Sequence, residues 1–236
     1  MSGEREQASS LRGALCDVFF PALVSGELAE LQKRIGDKAT LAEPSVGASA
    51  GPPVRDHVAK LEVMYREASY QKETFVAGTD RDVALGVLTR NGTDTPVAVL
   101  AVRRKSREID IRVYHHQPDS SMPEVPLDPR LTLPRPVGIF LDALAEGEID
   151  EAVALLAPGQ HLRDGSGKTY DRDSGAARAF LVALGVLECD PSGTADDGRT
   201  CAVEGMFVSK GVRRPGLIAF ERGDNGLFGR ISFYMV

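Results

Sequence analysis

The stretch IFLDALAEGEID, Ile139 to Asp150, has an edited copy near the start of the chain, VFFPALVSGELA, Val18 to Ala29. At a constant separation of 121 residues, Phe19 meets Phe140, Ala22 meets Ala143 and Leu23 meets Leu144. Gly26 meets Gly147, Glu27 meets Glu148, Leu28 meets Ile149 and Glu30 meets Glu151. The register continues without a gap, so Leu41 falls on Leu162 and Glu43 on Asp164. An ungapped match of this length points to an internal repeat, and the rest of each half can be tested against it.

Each half shows the same order of signals. Leu15, Val18, Phe19, Ala22 and Leu23 lie at spacings of three and four, as do Ile139, Phe140, Ala143 and Leu144. Such spacing puts apolar side chains on one helical face. Gly26 and Gly147 then interrupt it, as helix-ending glycines do. A short acidic-starting helix follows at 27–35 and 148–156, matching the positive end of the helix dipole. After LAEP and LRDG comes a glycine-rich stretch, then a longer helix striped by Val54, Val58, Leu61, Met64, Tyr65 and Ala68. Ala177, Phe180, Leu181 and Leu184 repeat that stripe. The remainder alternates like strands: VALGVLTRNG echoed by AVEGMFVSKG, PVAVLAVRR by RPGLIAFER, and EIDIRVYHH by GRISFYMV. Helices followed by an antiparallel meander predict an α+β fold, with helices laid across one face of a sheet.

Between the halves, QPDSSMPEVPLDPRLTLPRP carries six prolines, which remove backbone donors and favour extended backbone. The expected organisation is a first domain over 10–116, a proline-rich linker over 117–136 and a second domain over 137–236. The chain has 236 residues, enough for two cores of ordinary size. Its 42% apolar and 26% charged content is that of a globular protein. A net charge of −6 argues against nucleic acid or an anionic membrane as the main partner. No apolar run approaches a membrane span, and the polar MSGEREQASS is unlike a secretory leader. Three cysteines without a CxxC suggest buried thiols in a reducing, cytoplasmic setting.

The phrases FFPALVSGELAELQ, LAEP, GPPVRDHVAKLEVMY and IDIRVYHHQP resemble the nuclear transport factor 2-like superfamily, in its SnoaL-like and ketosteroid-isomerase-like branch. FLDALAEGEIDEAVALL, LRDG and ISFYMV resemble the same pattern again. The resemblance implies two tandem cystatin-like cones, each a bent antiparallel sheet wrapped on helices, with a largely apolar pocket at the open end. It also implies pairing through the sheets, here an intramolecular pseudo-dimer, so that the chain would act as a monomer or homodimer.

In that branch one pocket carboxylate moves a proton beside a carbonyl while a polar donor stabilises the enolate. The physics is general: an apolar pocket raises a carboxylate's pKa, and a fixed donor meets charge developing on oxygen. Glu43, before Pro44, is the expected base, and Asp164 is its counterpart. His57, on the long-helix stripe, is a candidate acid or donor. If the last strand of the first half is extended, Asp110, Arg112 and Tyr114 share one face and would form a polar pocket floor. The second half offers Arg230, Ser232 and Tyr234 there, without the carboxylate. Tyr65, Tyr114, Asp164 and Tyr234 are candidate ligand contacts.

Other patterns fail. SGKT at 166–169 lacks the earlier glycine of a phosphate-binding loop, since Leu162 stands there. His115-His116 has no third ligand at metal-like spacing, so no metal or cofactor is expected. RRKSRE, 103–108, reads as a solvated hairpin tip without the aromatics of a nucleic-acid face. The readings left standing are an isomerase, cyclase or dehydratase/hydrolase acting on a hydrophobic carbonyl compound, a non-catalytic binder of such a compound, and a protein-interaction module with vestigial pockets.

Overall fold

The computed structural model describes residues 15–104, 108–117, 122–223 and 225–235. The MSGEREQASS stretch, the centre of the basic 103–108 run and part of the proline-rich segment lie outside them. The chain divides into two compact units, one reaching Pro123 and the other Glu124–Met235.

The first unit holds helix α1 (described over 15–25), α2 (Leu28–Arg34), strands β1 (Thr40–Glu43) and β2 (Gly47–Ala50), α3 (Pro53–Tyr65), and then β3 (Ser69–Ala77), β4 (Arg81–Arg90), β5 (Thr93–Arg103) and β6 (Ile109–His115). The second repeats the order with α4 (Arg135–Glu146), α5 (Ile149–Ala154), β7 (Leu156–Arg163), β8 (Thr169–Asp171), α6 (Ala176–Leu184), β9 (Leu187–Asp196), β10 (Thr200–Ser209), β11 (Val212–Arg222) and β12 (Phe228–Met235). The sheets run β2-β1-β6-β5-β4-β3 and β8-β7-β12-β11-β10-β9, which is one topology written twice. Each unit is therefore α+β, a six-stranded sheet wrapped on its helices.

One feature of the sheets departs from the expected all-antiparallel form. The first strand of each unit takes in Leu41–Glu43 of LAEP or Leu162–Arg163 of LRDG and pairs in parallel with the last strand. Leu41 lies beside Ile111 and Leu162 beside Ile231. In the first unit β1 and β2 have four residues each, too few to show period-two alternation, so pattern reading cannot see the β1–β2 hairpin.

The repeated glycines have distinct physical roles. Gly26 and Gly147 adopt φ of 76° and 79° and end the opening helices in the left-handed conformation that a Cβ disfavours. Gly86 and Gly205 face β-bulges instead. The β3–β4 pairing slips between Lys72 and Thr74, and the β10–β9 pairing slips beside Gly205. A Cβ at Gly86 would meet the Tyr70 ring at 2.5 Å, and one at Gly205 would meet the Asp190 carbonyl oxygen at 2.6 Å. A bulge bends and twists its strand, so these two glycines permit the same bend in both sheets.

Apolar stripes and strand faces build one core per unit. Phe19, Phe20, Leu23, Val58, Leu61, Ile111 and Val113 belong to the first. Phe140, Leu144, Leu181, Phe220, Ile231 and Phe233 belong to the second. The latter half of the proline-rich segment packs with the second unit: Val125 is buried, Leu133 lies on the core, and the Asp128 N–H donates to the Pro191 carbonyl at 3.0 Å. Among the described residues, no helix is long and apolar enough to cross a membrane.

Candidate functional site

Three elements of the first unit bring polar side chains together. β1 ends at Glu43, which is 0% exposed although ionisable. On β6, Ile111 and Val113 enter the core, so two residues further His115 continues on that face. α3 presents Tyr65 in its last turn, on the stripe of Val54, Val58 and Leu61. The Phe20 ring of α1 stands edge-on to Tyr65 at 5.7 Å and stacks on Tyr70 at 5.2 Å. Those ring contacts fix where the phenol can sit.

The Glu43 carboxylate is the centre of this cluster. Its Oε1 accepts from the Tyr65 hydroxyl at 2.8 Å and lies 2.6 Å from His115 Nε2. Its Oε2 accepts from the backbone N–H groups of Ser45 at 2.7 Å and Val46 at 3.1 Å. A carboxylate has about four acceptor positions, and here all four are filled. Burial alone would raise the carboxyl's pKa. The His115 contact, the Tyr65 hydroxyl and the Ser45 N–H outweigh it and hold Glu43 below its ordinary value. Burial, together with the charge and hydrogen bond of Glu43, pushes the Tyr65 phenol upward, so it remains a donor. Tyr65 Oη also lies 3.3 Å from His115 Nε2, while His115 Nδ1 makes only a 3.4 Å contact with the His116 carbonyl.

A cavity of about 180 Å³ opens beside the cluster. Tyr65 and His115 line it with Ser45, Met64, Leu88 and Arg90. Glu43 stands behind them, outside the lining.

The other sequence candidates lie elsewhere. Asp110, Arg112 and Tyr114 project from the sheet face opposite the core and do not line the cavity, because the apolar face of β6 turns inward instead. Asp110 is paired with Arg112 and, at 2.8 Å, with Arg104, and it accepts from the Thr40 hydroxyl. Burial opposes its charge, but Arg112, Arg104 and Thr40 lower its pKa on balance. His57 does not reach the cavity; its Nδ1 lies 2.7 Å from Ser49 Oγ beneath a separate cleft with Asp56 and Lys60. Burial is the main cause of its lowered pKa, with Lys60 adding to it and Glu43 opposing.

The second unit lacks the cluster. Asp164 binds its own turn, accepting from the Ser166 and Lys168 N–H groups at 2.9 and 3.0 Å and from the Tyr170 hydroxyl at 2.8 Å. The register that sets Ile231 over Ile111 puts Met235 at the position of His115. α6 has 9 residues against 13 in α3, and it ends before any counterpart of Tyr65. Tyr234 is buried and accepts from the Arg163 guanidinium at 2.8 Å. The Arg itself has changed strands: Ala42 faces Arg112 in the first unit, and Arg163 faces Ser232 in the second. All three cysteines are free, and burial raises the thiols of Cys189 and Cys201 to about 12. Among the described residues no group of three or more His, Cys, Asp or Glu side chains could hold a metal ion.

His115 is the member of the cluster that sequence reasoning passes over. As an adjacent pair, His115 and His116 suggest only metal ligation. Strand alternation nevertheless sets His115 on the face of Ile109, Ile111 and Val113, and that signal is enough to find it.

No family model and no curated protein matches this chain. Among solved structures, it is similar to an NTF2-like protein of unknown function from Cytophaga hutchinsonii, at 10% identity and a TM-score of 0.39, covering 45% of this chain and 94% of that one. It is similar to a protein with a ketosteroid isomerase-like fold from Catenulispora acidiphila, in complex with trimethylamine, at 14% identity and a TM-score of 0.39, covering 44% and 86%. A third is a Mycobacterium tuberculosis protein in complex with estradiol-17beta-hemisuccinate, at 14% identity and a TM-score of 0.37, covering 42% and 90%. Proteins described as NTF2-like and as having a ketosteroid isomerase-like fold are among the similar structures.

Proposed function

We propose that the first unit binds a small carbonyl compound in the cavity beside Glu43, Tyr65 and His115 and moves a proton on it. The observation that carries this reading is the convergence of a carboxylate, a phenol and an imidazole within hydrogen-bond distance of one another at a cavity wall. His115 is the group that exchanges the proton. An imidazole can both accept and donate a proton, and the weakly engaged Nδ1 of His115 can turn to a ligand. Glu43 holds the ring through Nε2 and balances a positive charge on it. Tyr65 would transfer its hydrogen bond from Glu43 to the ligand oxygen as negative charge develops there. Glu43 therefore supports the reacting group from behind rather than acting as the base itself.

The cavity, at about 180 Å³, is small. Pockets for drug-sized ligands typically start at roughly 300 Å³. That favours a compound well short of a steroid or polycyclic polyketide.

The test is proton exchange. Small ketones would be incubated with the protein in deuterated water and the loss of their α-proton signals followed by NMR. Wild type should accelerate exchange of at least one compound, and His115→Gln should lose about 100-fold or more of that rate, the usual scale of general acid–base catalysis. Equal rates in the two proteins would overturn the catalytic reading.

One observation favours a second reading. With all its acceptor positions occupied, Glu43 is locked, and a locked cluster suits binding without turnover. Saturable binding with no exchange would establish that reading instead.

A further inference from the structure

The proposed pocket also has a charge pattern, and the inference from it rests on the pocket reading above. Its wall carries Ser45, Tyr65, Arg90, Thr95, His115, His116 and Gln117 among its polar members, and no carboxylate. Every one of these can donate a hydrogen bond. Glu43 is buried behind the wall with its acceptor positions filled. Arg90 ends β4 at the cavity, exposed to solvent, and has no ion-pair partner among the described residues. Its charge reaches Tyr65, where it opposes the upward push of burial and Glu43 on the phenol. Met64, Ala68 and Leu88 supply the apolar part of the wall.

An uncompensated guanidinium beside a donor-rich wall is a receptor for an anion. We infer that the ligand carries one carboxylate, held by Arg90, on a short aliphatic body that lies along Met64 and Leu88 and sets its carbonyl at Tyr65 and His115. A guanidinium offers paired N–H donors that match a carboxylate's two oxygens. A single negative charge is the match for a single unpaired cation, and the cavity volume suits a short-chain oxo acid.

Calorimetric titration with 2-oxobutanoate and with its neutral isostere 2-oxobutanamide tests this, in wild type and in Arg90→Gln. Arg90 is exposed at a strand end, so the variant should fold, and its melting curve checks that. Wild type should bind the acid about tenfold or more tightly than the amide, the scale of one charge-assisted contact. In Arg90→Gln that preference should fall to about one. Equal affinity for acid and amide in wild type, or a preference that survives in Arg90→Gln, would overturn the carboxylate assignment and leave the pocket reading standing. Failure of both compounds to bind wild type would remove the pocket reading and this inference together.

Discussion

His115 Nε2 lies 2.6 Å from Glu43 Oε1, joining the last residue of β6 to the last residue of β1 across 72 positions of sequence. Parallel pairing of β1 with β6 makes this contact: Leu41 beside Ile111 and Ala42 beside Arg112 set the two strand ends on one core-facing side. The site is thus a product of a long-range strand pairing that the repeat pattern does not disclose.

Acid should test the charge on Glu43. In the folded chain its carboxyl is held below its ordinary value, so it contributes stability above about pH 4.3 that is lost as pH falls through the folded value. The melting temperature of wild type should therefore fall more steeply between about pH 5 and pH 3 than that of Glu43→Gln. Parallel slopes would mean that Glu43 is not paired as described.

Removing the carboxylate altogether should be costly at neutral pH. Glu43→Ala strands the Tyr65 hydroxyl, the His115 ring and two backbone N–H groups, all in buried surroundings. A loss of about 3–5 kcal/mol is expected, read from denaturant unfolding.

Tyr65→Phe keeps the ring against Phe20 and deletes one donor to Glu43. Stability should drop by only about 1 kcal/mol, and the acid limb of the stability curve should move upward, since one of the bonds lowering Glu43 is gone. Proton exchange on a bound ketone should slow by more than this stability change accounts for. A rate equal to wild type would remove Tyr65 from the reacting group.

The bulge glycines should behave as a pair. Gly86→Ala and Gly205→Ala each place a methyl group within 2.6 Å of neighbouring atoms. Overpacking of that kind should cost about 1–3 kcal/mol. Gly36→Ala, where no heavy atom lies within 4 Å and φ is not positive, should be neutral. Equal stability of all three variants would contradict the bend ascribed to the repeated glycines.

Much of the architecture is legible because helical stripes and repeated glycines are local signals. The Phe19/Phe140 register points to two units of one topology, Tyr65 follows from the apolar stripe of α3, and Glu43 from its place before Pro44. What escapes is long-range. The short β1 strand carries too few residues for a period, and β6 shows two chemically reasonable faces. Choosing the polar face of Asp110, Arg112 and Tyr114 as the pocket floor sets aside the apolar face that packs inward, and His115 goes with it. The inward direction is decided by where Ile111 and Val113 can be buried, so burial takes priority over polar chemistry in reading that strand.

The most direct test of the site uses the histidines themselves. The chain has four, His57, His115, His116 and His161, and their ring nitrogens can be followed by ¹⁵N NMR during titration with 2-oxobutanoate. Saturable movement of the His115 ring signals is expected, with a smaller response at His116 and none at His57 or His161. Four unmoving rings, or a response centred on His57 or His161, would contradict the assignment of the working site to the first unit's Glu43–Tyr65–His115 cluster.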